Sequence, residues 1–345
     1  MISAQSRTKD WIMAIRGSSH APADPILIEK MILALTLLES LRMTGLDFIF
    51  KGGTSLLLVL GTPRRFSIDL DIVVETDQGL DEALQSIPQQ GVFHRVEENE
   101  RTSHIPKRHY KFFFHSTIEN KESSILLDVL FEDSLYPVLQ TRAIQSDLLM
   151  SDGKAVQVRC PAAECLFGDK LSAFAPHTTG ILYQKNKDLE IIKQLYDLAA
   201  LFDIVTDVNL AARTFDIIST RELAYRGLIG ITPREVLMDS FETACLIGMR
   251  GHGSEKEFAE LLNGIRKMAG FVYAEHFTLD SAIVCAAKVA CMTALISKSI
   301  SNVSRFDPRF DMSHLVILNP VWSRLNKIKK TSPEAFYYFY QAVGE

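Results

Sequence analysis

The stretch that decides this chain is KGGTSLLLVLGTPRRFSIDLDIVV, Lys51 to Val74. Lys51 closes a short apolar run, Asp47-Phe48-Ile49-Phe50, with the pattern of a strand. Two glycines then let the backbone turn tightly and approach a ligand closely. A helix begins at Thr54 and runs to Leu60, where Gly61-Thr62-Pro63 stops it. The free N–H groups and positive dipole end of such a helix form an anion site suited to the phosphates of a nucleotide. The hydroxyls of Thr54 and Ser55 are candidates for further hydrogen bonds to phosphate. Asp69 and Asp71 open a second strand, Leu70 to Val74. Residues two apart in an extended chain face the same side, so the two carboxylates project together. Such a pair repels itself unless a cation intervenes. Mg²⁺ fits, since it takes oxygen ligands and accepts substrate phosphates into its shell.

A third carboxylate lies farther along. Asp128 stands inside the apolar run Ile125 to Phe131, where a lone charge is costly unless paired or bound to metal. If that strand lies beside the Asp69/Asp71 strand, three carboxylates converge. They could then hold two metal ions roughly 4 Å apart, one at the attacking hydroxyl and one at the leaving pyrophosphate.

The flanking pattern frames these residues. Pro25 to Met43 carries apolar residues near a 3.6-residue period and reads as a helix ended by Gly45. His109–His115 and Ile125–Phe131 read as an antiparallel hairpin turning through Thr117–Ser124, and Ala155–Arg159 as a further strand. Beyond Pro161 helices take over, near 162–175, 186–205, 232–247, 255–269 and 279–299. A polar link at 302–311 leads to closing helices at 313–327 and 332–342. The expected division is thus a mixed domain over 1–160 and a helical domain over 161–345.

With 345 residues, 47% of them hydrophobic, and a net charge of −5, the composition argues against extended disorder and does not mark a dedicated nucleic-acid binder. The five cysteines are scattered with no C-x-x-C pair, which excludes a zinc ribbon or disulfide framework. No histidine spacing suggests zinc, and His109 and His115, at the ends of a strand, are given no role. The start of the chain lacks the apolar core of a signal peptide, and the apolar stretch Ser281–Ile296, interrupted by Lys288, reads as a buried core helix. The expectation is a soluble, cytoplasmic protein with no membrane partner. Basic residues at Arg64, Arg65, Lys107, Arg108, Lys185, Lys187, Arg324, Lys327, Lys329 and Lys330 are candidates for an RNA cradle, with Tyr110, Tyr183 and Tyr196 for base stacking. Ordinary solubilising charge explains any single one equally well.

At these residues the sequence resembles the AbiEii/AbiGii toxin family of nucleotidyltransferases, within the polymerase-β superfamily. Lys51–Leu56 matches its K-G-G-T-S-L segment and Arg65–Asp71 its R-[FY]-S-x-D-[LI]-D segment. Asp128 corresponds to the family's third carboxylate, Asp169-Lys170 to its Asp-Lys pair, and Lys193 to Leu198 to its R-D-L-Y-D-L helix. Three features depart from the pattern: Leu57-Leu58-Val59 replaces a frequent basic residue, Ile68 an acidic one, and Lys193-Gln194 an Arg-Asp pair.

The resemblance implies an α+β fold, with a small mixed sheet flanked by helices followed by an α-helical C-terminal domain. It also implies transfer of a nucleoside monophosphate from an NTP to an acceptor hydroxyl, with Mg²⁺ or Mn²⁺ on Asp69, Asp71 and Asp128. Lys51, Gly52, Gly53, Thr54, Ser55, Arg65 and Ser67 would surround the nucleotide. Lys170 would meet the triphosphate, with Asp197 orienting it. A toxin of a toxin–antitoxin or phage-defence system is implied, acting on the 3′ end of tRNA and opposed by an antitoxin protein. A protein or small-molecule acceptor, and a non-catalytic regulatory role on the same fold, remain open alternatives.

Overall fold

In the computed structural model the described residues are 1–18, 23–100, 105–273 and 275–344. They form two compact units: Met1–Ala162 with Gly270–His276, and Ala163–Ala269 with Phe277–Glu345. The division near residue 160 read from composition is crossed once, by the segment 270–276, which returns to the first unit.

The first unit is built on a seven-stranded mixed sheet. In chain order its elements are α1 (Lys9–Ser18), α2 (Pro25–Met43), β1 (Ile49–Lys51), α3 (Gly52–Leu60), β2 (Leu70–Val74), α4 (Leu80–Ser86), β3 (Arg95–Glu98), β4 (Lys107–His115), β5 (Glu122–Phe131), β6 (Leu139–Ala143) and β7 (Gln157–Pro161). The spatial order is β3-β4-β5-β2-β1-β7-β6. β2 runs parallel to β5, and β1 runs parallel to β7; the other pairings are antiparallel.

The expected helix over 25–43 is present with those ends. Asp24 caps it by accepting from Ile26 N–H, with Pro25 in its first turn. α2 is apolar on nearly every side, and residues from Ile28 to Leu41 are almost continuously buried, so it serves as the core of the unit. Its two buried carboxylates are satisfied. Glu29 accepts from Ser116 Oγ at 2.6 Å and from Thr117 N–H at 2.6 Å, which pins the β4–β5 turn. Glu39 accepts from Ile2 N–H at 3.0 Å.

The second unit is helical: α5 (Ala163–Ala173), α6 (Asp188–Phe202), α7 (Val208–Tyr225), α8 (Pro233–Gly248), α9 (Glu255–Met268), α10 (Leu279–Ser297) and α11 (Pro333–Val343). α10 has the length and apolarity of a membrane span, yet 61% of its most apolar stretch is buried among the other helices. Close packing elsewhere in this unit uses glycines, Gly168 on α5 against α7 and Gly248 on α8 against Phe339 of α11. A Cβ on Gly168 would stand 2.6 Å from Ala211 O and 2.7 Å from Phe215 N, so α5 and α7 meet backbone to backbone.

Two expectations about this half are corrected. α7 was not foreseen, because its inner face mixes Val208, Phe215 and Ile218 with Ala211, Thr214 and Ser219, which blurs the apolar period. No α-helix spans 313–327. Leu315 and Ile317 are buried while Val316 and Leu318 are exposed, an extended period-two pattern. The Asn326 side chain supplies the partner a strand would need, accepting from Ile317 N–H and donating to Ile317 O at 2.9 Å each. Only Ser323–Ile328 there is helical, as a 3₁₀ segment.

Candidate active site

Strand register builds the site. Lys51 on β1 pairs with Asp71 on β2, Asp71 with Asp128 on β5, and Asp128 with His109 on β4. Four neighbouring strands thus set Lys51, Asp71, Asp128 and His109 in one row across the sheet, with about 4.8 Å between strands. Residues in register share a face, so the two carboxylates stand side by side. This parallel β2–β5 pairing is the condition that the sequence left open, and it sets Asp128 beside Asp71.

The row is chemically uneven. Burial first, and the neighbouring Asp128 second, push the Asp71 carboxyl up to about 6; Lys51 and Lys107 oppose this, and Asp69 adds to it. The His109 Nδ1 lies 2.7 Å from Asp128 Oδ1. The His109 side chain is 11% exposed and that of Asp128 31%, so the histidine backs the carboxylate from the interior while the carboxylate meets solvent. Read from sequence alone, His109 has no role; the structure sets it against Asp128. Nothing in a one-dimensional pattern pairs it with a residue nineteen positions away; the hairpin register does.

The glycines are set by the same geometry. Gly52 has φ +78°, in the left-handed region, and any Cβ there would overlap the Asp71 carboxylate, lying 2.8 Å from its Cγ. At Gly53 a Cβ would stand 2.7 Å from Arg65 Nη2 and 2.8 Å from Ser67 Oγ. The first turn of α3 is thereby brought against the carboxylate row and the Arg65 guanidinium. Lys51 lies 5.7 Å from the centre of the Tyr136 ring.

The hydroxyls behave differently from expectation. Thr54 Oγ1 donates to Asp69 O at 2.5 Å and lies 2.9 Å from Ser67 Oγ, and Ser55 Oγ donates to Gly52 O at 2.8 Å. A hydroxyl has one proton to give, and both side chains are buried. Their role in this structure is to pin the turn and the strand leading into Asp71. What remains for an anion is the set of backbone N–H groups at the start of α3, which have no acceptor within the helix.

Asp69, just before β2, is exposed. Arg65 is buried, donates through Nη1 to Phe66 O at 2.9 Å, and bridges to Val272. The segment 270–276 clamps this loop, with Phe66 N–H on Phe271 O at 2.8 Å, Tyr273 N–H on Arg64 O at 3.0 Å, and the Phe66 and Tyr273 rings edge to face at 5.7 Å. Near the row, a cavity of about 470 Å³ is lined by Glu75, Thr76, Asp77, Lys107, Arg108 and Phe131. Lys107 is two residues from His109 on β4, hence on the same face.

Among the described residues, no three His, Cys, Asp or Glu side chains form a ready-made metal cage. The donors nonetheless suit a hard divalent cation. Two adjoining carboxylates, with a third nearby, present only oxygen, and Mg²⁺ ordinarily binds through one or two carboxylates completed by substrate phosphates and water. Burial above all, and the charge of Asp128 after it, raise the Asp71 carboxyl, and a bound cation would favour its ionised form.

Lys170 and Asp197 lie in the second unit and form a buried ion pair at 2.7 Å, with Gln194 Oε1 3.3 Å from Lys170 Nζ. The expected stacking tyrosines are corrected: Tyr110, Tyr183 and Tyr196 are 4%, 9% and 5% exposed, leaving no ring face for a base. Arg108 is spoken for by Glu98 at 2.8 Å and Asp81 at 3.0 Å, and Lys329 by Ser313 O and Leu315 O. The cysteines are all free thiols.

The family model described as nucleotidyl transferase AbiEii toxin, type IV TA system, matches residues 37–260. No curated protein matches. Among solved structures, JHP933 from Helicobacter pylori is 15% identical, with a TM-score of 0.46 over 79% of this chain and 94% of that one. A candidate nucleotidyltransferase from H. pylori is 18% identical, with a TM-score of 0.47 over the same shares.

Proposed function

Since the chain belongs to the AbiEii family of nucleotidyl transferase toxins of type IV toxin–antitoxin systems, we propose that it transfers a nucleoside monophosphate from an NTP to an acceptor hydroxyl on RNA, the 3′ end of tRNA being the leading candidate. The observation that carries this reading is the register that sets Asp71 beside Asp128, with the glycine-started helix α3 packed against them.

On this reading the free N–H groups of Gly53 and Thr54, at the start of α3, bind the phosphates of the nucleotide, where the helix dipole favours negative charge. Arg65, held against Gly53, adds fixed positive charge. Asp71 and Asp128, joined by Asp69, would hold Mg²⁺ or Mn²⁺, which would neutralise phosphate charge and make the acceptor hydroxyl more acidic. The acceptor oxygen forms a bond to the α-phosphorus, and the bond from that phosphorus to the bridging oxygen breaks. Pyrophosphate leaves, and the hydroxyl proton passes to Asp128 or to water. The protein's contribution is positioning and charge neutralisation, as is general for phosphoryl chemistry. Lys107, facing the cavity beside the row, supports the approach of a polyanionic acceptor. The type IV family also supports an antitoxin partner.

The test is incubation of the full chain with each labelled NTP, Mg²⁺, and either bulk tRNA or total protein. Label on tRNA that disappears with D71N and D128N supports the proposal. Label on protein would keep the chemistry and replace the acceptor. No transfer and no NTP binding would overturn the proposal.

A further inference from the structure

The hydrogen bond between His109 and Asp128 is a contact that a merely structural carboxylate would not require. Asp128 faces solvent on one side, so water could satisfy it. Instead β4 places a buried imidazole directly opposite it in register, with Nδ1 2.7 Å from Oδ1. A carboxylate offers two oxygens and about four lone-pair directions. Here the ring engages Oδ1, and among the described residues no hydrogen-bond partner takes Oδ2. Donation from Nδ1–H also fixes the ring's orientation, because the opposite nitrogen must then face away from Asp128.

We infer that His109 is a positioning residue: it holds Asp128 by one oxygen so that the other is presented, in a single orientation, to a divalent cation shared with Asp71. The inference rests on the reading of Asp71 and Asp128 as cation ligands. Its physical basis is general. Side chains that hydrogen-bond to metal ligands limit their rotation, so the ligand loses less freedom when the ion binds, and removing such a partner commonly weakens metal affinity or activity by about 10–100-fold. The register supports this role over simple neutralisation. Lys51 and Lys107 already act on Asp71 as positive charges. A further cation could have stood at position 109 as well, whereas imidazole adds a directed, short-armed donor.

The experiment compares the full chain with H109F, H109N and D128N. It measures Mn²⁺ binding by calorimetry or electron paramagnetic resonance, with and without a non-hydrolysable NTP, and thermal unfolding in parallel. Phe keeps the ring and removes the donor; the Asn amide can place a donor near the position of Nδ1. The expected result is Mn²⁺ affinity at least about tenfold weaker for H109F at nearly unchanged unfolding temperature, with most of the loss recovered in H109N. If H109F binds Mn²⁺ as the unaltered chain does while D128N does not, the role of His109 is overturned and the metal site stands. If the unaltered chain binds no Mn²⁺ in either condition, the carboxylate reading itself fails, and the inference with it. Should H109F be unstable, H109N decides: affinity close to that of the unaltered chain supports the role, and a loss as large as that of D128N overturns it.

Discussion

Substituting Gly52 with Ala tests how the turn and the carboxylate row depend on each other. Two separable costs arise. Gly52 sits at φ +78°, where an L side chain costs about 1–2 kcal/mol. The added Cβ would also overlap the Asp71 carboxylate, with Cγ at 2.8 Å. Ordinary contact begins near 3.4 Å, so Asp71 must retreat by over half an ångström, away from its place beside Asp128, or α3 must shift. Overlap of this kind in a packed site adds about 1–3 kcal/mol. Gly61 is the internal control. It ends the same helix at φ +77°, and a Cβ there meets nothing within 4 Å, so G61A carries the conformational cost alone. Denaturant unfolding should therefore show G52A less stable than G61A by about 1–3 kcal/mol. Nucleotide transfer should fall roughly 10²-fold in G52A and stay near normal in G61A, since an ångström of misplacement at a reacting centre costs about that much. Equal stability for the two variants, together with intact transfer in G52A, would refute the packing of Asp71 on Gly52 as the device that holds the site.

Other outcomes follow from the same structure. D71N and D128N should each lower transfer by at least about 10³-fold while leaving the fold intact by circular dichroism, because two facing carboxylates are reduced to one charge without change of shape. G168A should lower stability by about 1–3 kcal/mol without affecting NTP binding, as its Cβ would meet the backbone of α7. The pH dependence of the helical unit should report on His177. Burial lowers its pKa, but hydrogen bonds to Glu257 and Asp239 outweigh burial and leave it raised above 6.5. A raised histidine stabilises fully below its unfolded value and loses that contribution as pH rises through the folded value. Thermal unfolding from about pH 5.5 to about pH 9 should thus show a decline that sets in as pH rises past the ordinary histidine value and that H177Q flattens. An unchanged profile in H177Q would remove the bridge from His177 to Asp239 and Glu257 as its source.

Much of this protein was legible one residue at a time. Pro25–Met43 announced its helix because apolar spacing and a terminating glycine agree. Leu70–Val74 announced its strand through β-branched residues. The segment Lys51–Asp71 pointed to phosphate and cation chemistry, since glycines before a helix and paired acids carry local meaning. Where local signals were mixed, reading failed. α7 hides behind small and polar inner residues, and 313–327 alternates like a strand.

Residue types and their spacing therefore determined the chemistry on offer: acidic oxygens, a helix start open to anions, and an apolar strand carrying one costly charge. Tertiary structure decided how these are assembled. Only the parallel pairing of β2 with β5 makes Asp71 and Asp128 neighbours, and only the β4–β5 register makes His109 the partner of Asp128. Only the return of residues 270–276 shows what seats Arg65, and only packing shows that Thr54 and Ser55 spend their protons inward. The physical reason is common to all four. Each depends on which backbone groups pair across long sequence separations, and hydrogen-bond register follows from burying the whole sheet's apolar face rather than from any short stretch of chain.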